Sequence, residues 1–159
     1  MKATKFSLPV ILVAGISMSA VGGGQVPYPD GYRTWTHAKS MVIQPGHPLE
    51  NPFQGIHHVY VNDAAKQGLV TGRYSDGAVF VFDLLSYRDV DRTLQEGDRK
   101  LIGVMHKDQD SYEETGGWGF EAFAGDSKTD RVVEDAGIGC FSCHTKVKEK
   151  DYVFTHYRN

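Results

Sequence analysis

Apolar positions in this chain recur mostly at a spacing of two, in short runs parted by turn-forming residues, and that pattern predicts a mainly β protein. Gln25 to Tyr32 is turn-rich and reads as a surface lead-in to a short segment around Arg33 to Ser40. Ile43 to Gly55 holds Pro45, Pro48 and Pro52 and reads as a loop. Ile56 to Val61 is β-branched and aromatic, the first clear strand, and Asn62 or Asp63 can cap a short helix through Gln67 that Gly68 stops. Ser75, Asp76 and Gly77 make a turn signal ahead of Ala78 to Leu85, which is apolar on both faces and therefore reads as a central strand. The polar, charged stretch Arg88 to Arg99 reads as an exposed loop, and Leu101 to His106 as the next strand. From Gly117 to Ala124 aromatic residues alternate with small or polar ones, which buries one aromatic face. Arg131 to Ala136 reads as helical and Tyr152 to Thr155 as a closing strand. Strands thus outnumber short helices, and the fold class is α+β, mainly β. No long amphipathic helices at the 3.6 period are present, which excludes a four-helix bundle.

The first residues change the picture of where the chain works. Lys2 and Lys5 precede an apolar run from Phe6 to Val21, and Gly22, Gly23 and Gly24 follow it. A basic, then apolar, then small-residue pattern is that of a secretory signal, which we assign to residues 1–22, leaving 23–159 as a single domain. Ser19, Ala20 and Gly22 all offer cleavage positions. The run contains Pro9 and Gly15 and falls short of the roughly 20 apolar residues a spanning helix needs, so no membrane anchor is expected. Removal of Lys2 and Lys5 takes away no acid and moves the net charge from -3 to -5. With Lys and Arg scattered rather than clustered, a nucleic-acid partner is not expected.

The chemistry is concentrated near the C-terminus, in Cys140, Phe141, Ser142, Cys143 and His144. Two thiols three residues apart, followed at once by an imidazole, have the spacing to close two thioether bonds on a haem while the imidazole binds the iron. A bare CxxC also serves as a redox dithiol, half a zinc site or a disulfide. A zinc site wants two further ligands at clustered spacing, and His37, His47, His57, His58, His106 and His156 supply no such cluster. A thioredoxin-like motif follows an early strand, whereas this one lies close to the chain end. The reading is therefore one covalently bound haem c, held through Cys140 and Cys143, with His144 as the proximal iron ligand. Export agrees with it, since c-type haem is joined to its protein outside the cytoplasm.

Small electron-transfer cytochromes place CxxCH near the mature N-terminus and take a Met ligand from downstream, but Thr145 to Asn159 contains no Met. A sixth ligand must come from upstream. Met105 and His106 are the two candidates, and as strand neighbours only one of them can face inward. By the same rule His57 and His58 diverge and read as one half-buried and one exposed residue rather than a metal site. Trp118 reads as core.

The order of features resembles the cytochrome P-460 family together with its relatives the cytochromes c′-beta. The matching stretches are Tyr32 to Trp35, Val59 to Val61, Asp76 to Val79, Gly117 to Phe120, the CxxCH motif and Val153 to Thr155. The resemblance implies an antiparallel sheet packed with a few helices, a homodimer, and a five-coordinate haem with an open distal side, used on small nitrogen species in the bacterial periplasm. In the P-460 enzymes a Lys on the strand after the Asp-Gly turn is cross-linked to the haem; Phe82 holds that place here. The distal carboxylate of the hydroxylamine-oxidising members falls near Gly103 to Met105, where this chain has no acid. Both departures resemble the c′-beta branch, whose distal pocket is lined by Phe and binds nitric oxide. Distal candidates are Phe82, Met105, Phe120 and Phe123, with Phe53 ranked below them. Asp83 and Glu121 are the acids expected nearest the haem, in solvated or dimer-facing positions.

The function expected is that of a periplasmic mono-haem cytochrome that binds nitric oxide or a similar small ligand and exchanges electrons with a redox partner protein. Hydroxylamine oxidation or a peroxidase-like reaction would need a distal base that the sequence does not supply. A six-coordinate electron carrier would need Met105 or His106 on the iron.

Overall fold

In a computed structural model, residues 24–156 and Arg158 are described; the expected signal at 1–22 lies outside them. Five strands form one sheet in chain order, all neighbours antiparallel: β1 Thr36–Ile43, β2 Gly55–Val61, β3 Val79–Val90, β4 Thr93–Lys107 and β5 Trp118–Ala124. The helices are short: a single turn α1 Glu50–Phe53, then α2 Asp63–Thr71 and α3 Ile138–His144, the last continued by a 3-10 segment Thr145–Lys150. This is the α+β, mainly β class that the two-residue periodicity predicts.

Strand alternation sorts the side chains into two layers, because residues opposite one another in an antiparallel ladder point to the same face. One row runs Val61, Phe80, Met105, Phe120, and the next Val59, Phe82, Gly103, Ala122. This face packs against α2, α3 and the C-terminal tail through Ala65, Tyr74, Phe141, Tyr152 and Val153. On the opposite face Tyr60, Val81 and Val104 share a row, as do Asp83, Ile102 and Phe123. The N-terminal segment covers that side with Val26, Tyr28 and Tyr32.

Several expected boundaries differ. Gly68 does not stop α2: Asn62 caps its start by accepting from Ala65 N at 3.0 Å, and the helix ends at Gly72, at φ 77. Gly68 serves packing instead, since an added Cβ would lie 2.0 Å from the Tyr74 ring. The expected loop Arg88 to Arg99 is the outer part of a long β3–β4 hairpin, closed by Asp91 and Arg92 at φ 52 and 63. Both faces of that ribbon are largely exposed, so its polar composition carries no alternation. Arg131 to Ala136 is not helical: Arg131 bridges to Phe123 as an isolated β pair and bonds Glu121, and Ala136 turns at φ 54. Tyr152 to Thr155 adds no strand, because the left-handed turn at Asp151 and Tyr152 folds the tail onto α3. The fifth strand is β1, which the sequence reading placed only as a short segment.

The buried polar groups are specific. Asp83 is fully buried rather than solvated, and its carboxylate accepts from Tyr32 Oη at 2.8 Å, Arg33 Nη1 at 2.8 Å and Arg99 Nε at 2.7 Å. Burial, and then the bond to that carboxylate, push the Tyr32 hydroxyl far above its ordinary range. His57, expected half-buried at most, is 1% exposed, and only its Nε2 is bonded, to the Phe53 carbonyl at 2.6 Å. Burial holds it below the usual imidazole range.

Two expectations follow. Asp83→Ala leaves the guanidinium of Arg99 without its buried partner and should lower unfolding free energy by about 3 kcal/mol, read from urea titrations. His57 binds a proton more readily unfolded than folded, so its contribution is complete above the unfolded value of 6.5 and is lost as pH falls through it. As pH falls below 6.5 the stability of the wild type should fall, and His57→Phe should remove that part of the slope, read from urea titrations across pH.

Candidate functional site

α3 is a helix of two turns made to present three groups. Cys140 and Cys143 are three apart and Cys140 and His144 four apart, so all three lie along one side of it. Asp135 organises its start: Oδ1 accepts from Gly137 N at 3.0 Å and Oδ2 from Gly139 N at 2.7 Å. Gly137 sits at φ 85 with the Phe120 carbonyl 3.1 Å from where a Cβ would be, so glycine is what lets α3 approach β5. Cys140 and Cys143 are unpaired thiols, both half-buried. Burial, reinforced by Asp135, pushes the Cys140 thiol up.

His144 is held in one tautomer and orientation. Its Nδ1–H donates to the Tyr152 carbonyl at 2.6 Å, which fixes the tautomer whose Nε2 carries a lone pair. Burial holds the imidazole below its usual range, so the ring is neutral near pH 7. Phe120 and Phe154 flank it, with ring centroids at 5.0 and 5.1 Å.

The structure separates the expected distal residues. Phe82, Met105 and Phe120 lie on the face that α3 covers, whereas Phe123 lies on the other, edge-on to Tyr28 and under Arg131. Phe123 is therefore not a wall of this site: it lies three residues on from Phe120, an odd step that turns it to the opposite face. Phe120 packs on His144 itself. Of the adjacent pair, Met105 faces inward between Phe80 and Phe120, and His106 faces away toward Tyr112 at 6.3 Å. Phe82 is only partly buried; beside it in its row come Gly103 and Ala122, which leave a low, apolar shelf on the sheet. Phe53, ranked low from the sequence, meets Phe82 edge-on at 5.9 Å, and His57 packs on the same ring at 4.3 Å. No periodic signal marks Phe53, since it comes from the turn before β2.

Both candidate acids lie on the far face. Asp83 is held by Arg33 and Arg99, and Glu121 accepts from Arg131 at 2.6 Å. A surface concavity of about 340 Å³ lined by Ser86, Arg88, Glu96, Gly97 and Asp98 is polar and carries none of these groups.

The donor set fits a haem: two reduced thiols, a neutral imidazole with Nε2 free of its own hydrogen bond, and an apolar shelf of small residues walled by phenyl rings. No curated protein matches the chain. Residues 29–155, from the N-terminal segment through the tail that holds His144, match the family model described as Cytochrome P460, and the chain belongs to that family of haem cytochromes.

Proposed function

We propose that this chain is a mono-haem c-type cytochrome that binds nitric oxide, or a similarly small neutral nitrogen ligand, on an apolar distal side, with Cys140 and Cys143 holding the haem covalently and His144 its iron. The iron, when bound, supplies the ligand-binding site and a one-electron couple. The observation that carries the reading is the arrangement around Phe82, where the buried imidazole of His57 packs on the ring and the adjacent carboxylate, Asp83, is on the other face of the sheet. Such surroundings offer no carboxylate base for proton-coupled oxidation of hydroxylamine, and burial leaves His57 a weaker proton acceptor than an ordinary imidazole. Phe82 also stands where the resemblance puts the cross-linking Lys, and a phenyl ring has no amine to form that bond.

The roles of the protein groups follow from their chemistry. His144 gives iron its lone pair from Nε2 while its Nδ1–H stays on the Tyr152 carbonyl. Phe82 and Phe53 crowd a bound ligand without a hydrogen bond, which favours a small uncharged molecule. The basic, apolar and small-residue N-terminus supports export to the periplasm.

Mass spectrometry of the protein after acid extraction should retain one haem on the chain, and His144→Gly should lose the native ligand field and regain it in part with added imidazole. Release of the haem, or an unchanged His144→Gly spectrum, contradicts the assignment. In stopped-flow mixing of the ferrous protein with nitric oxide, Phe82→Ala should bind severalfold faster than wild type; equal rates would make Phe82 ordinary core.

A further inference from the structure

The carbonyl that receives the His144 Nδ1–H belongs to a constrained turn. Asp151 and Tyr152 are consecutive non-glycine residues at φ 51 and 64, a conformation that side chains with a Cβ disfavour and that bulky ones rarely adopt. Such a turn persists only where its surroundings hold it. Here the Asp151 carboxylate is the anchor: Oδ1 accepts from Lys107 Nζ at 3.0 Å and from Trp118 Nε1 at 3.3 Å, and Oδ2 from Tyr74 N at 3.3 Å. Lys107 is 6% exposed, lies 4.9 Å from the Trp118 ring, and donates also to the Gly116 carbonyl at 3.0 Å. The Tyr152 ring closes the other side against Gly116, where an added Cβ would fall 2.4 Å from it, and against Phe141 at 5.3 Å. Strands β4 and β5 and the segment after α2 thus converge on one carboxylate, one residue before the carbonyl that orients His144.

We infer that Lys107 and Asp151 are positioning residues for His144: their ion pair clamps the turn so that the Tyr152 carbonyl stays on Nδ1, which keeps Nε2 as the donor atom and strengthens it as a ligand. The inference rests on the reading of His144 as the iron ligand. A hydrogen bond from Nδ1–H raises the basicity of the ring at Nε2 and favours ferric over ferrous iron. Loosening the turn should do the reverse.

The test uses the haem-loaded protein and compares wild type with Lys107→Met and Asp151→Gly, the second chosen because glycine accepts the positive φ. Midpoint potentials are read by spectroelectrochemistry and the iron–histidine stretch by resonance Raman of the ferrous form. Both variants should shift the equilibrium toward ferrous by about tenfold, about 59 mV upward for one electron, and both should lower the stretching frequency. Charge acting through space predicts something different, because losing the cation would lower the potential and losing the anion would raise it. Shifts of opposite sign overturn the inference, as do lowered melting temperatures with unmoved potential and frequency. Should either variant mature poorly, Lys107→Arg and Asp151→Asn take its place, with smaller shifts expected in the same upward direction and no shift counting against the inference. A wild type without bound haem, or an unchanged His144→Gly spectrum, would defeat the ligand reading itself, whereas normal ligation with unmoved variants defeats only the clamp.

Discussion

A carboxylate on the central strand sets the orientation of the whole sheet. Asp83 is fully buried and accepts hydrogen bonds from Tyr32, Arg33 and Arg99, so β3 cannot turn it toward the other layer without leaving a charge unpaired in the interior. Successive strand residues face opposite ways, and fixing Asp83 therefore fixes Phe82 on the face that α3 covers. The ladder carries that choice sideways, to Gly103 and Ala122 in one row and to Met105 and Phe120 in the next. One layer of the protein ends up charged and paired, the other apolar. The chemistry of the site follows from that division more than from any residue within it.

The second constraint is that the helix carrying Cys140, Cys143 and His144 is too short to hold itself. α3 gains little from its own hydrogen bonds and is fixed at both ends by neighbours, through Asp135 and the close approach of Gly137 to Phe120 at its start and through the Tyr152 carbonyl at its end. Packing against β5 and the returning tail does what helix propensity cannot. The imidazole is thereby neutral, oriented and flanked by rings before any iron reaches it.

What was legible in the chain was whatever depends on local spacing. Strands β2, β3, β4 and β5 were readable in their buried parts because one or both faces of each are apolar, and the CxxCH spacing defines Cys140, Cys143 and His144 without reference to the rest. The outer hairpin was not readable, since a ribbon exposed on both sides has no hydrophobic period. The N-terminal limit of α2 was readable from Asn62, while its end was misplaced because Gly68 answers to the Tyr74 ring, a contact distant from the helix's own pattern.

The sequence by itself determined the class of cofactor chemistry, the mainly β architecture and the fact that only one of Met105 and His106 could face inward, because each of these rests on spacing along a single segment. The tertiary structure decided which one, and it decided that Phe123 belongs to the opposite layer, that Phe120 packs on His144 and that Phe53 joins Phe82. It also decided the partner of His144 Nδ1 and the burial of Asp83. These depend on which face of a strand is covered and on where a tail with two left-handed residues returns, and neither is encoded within the reach of a local pattern.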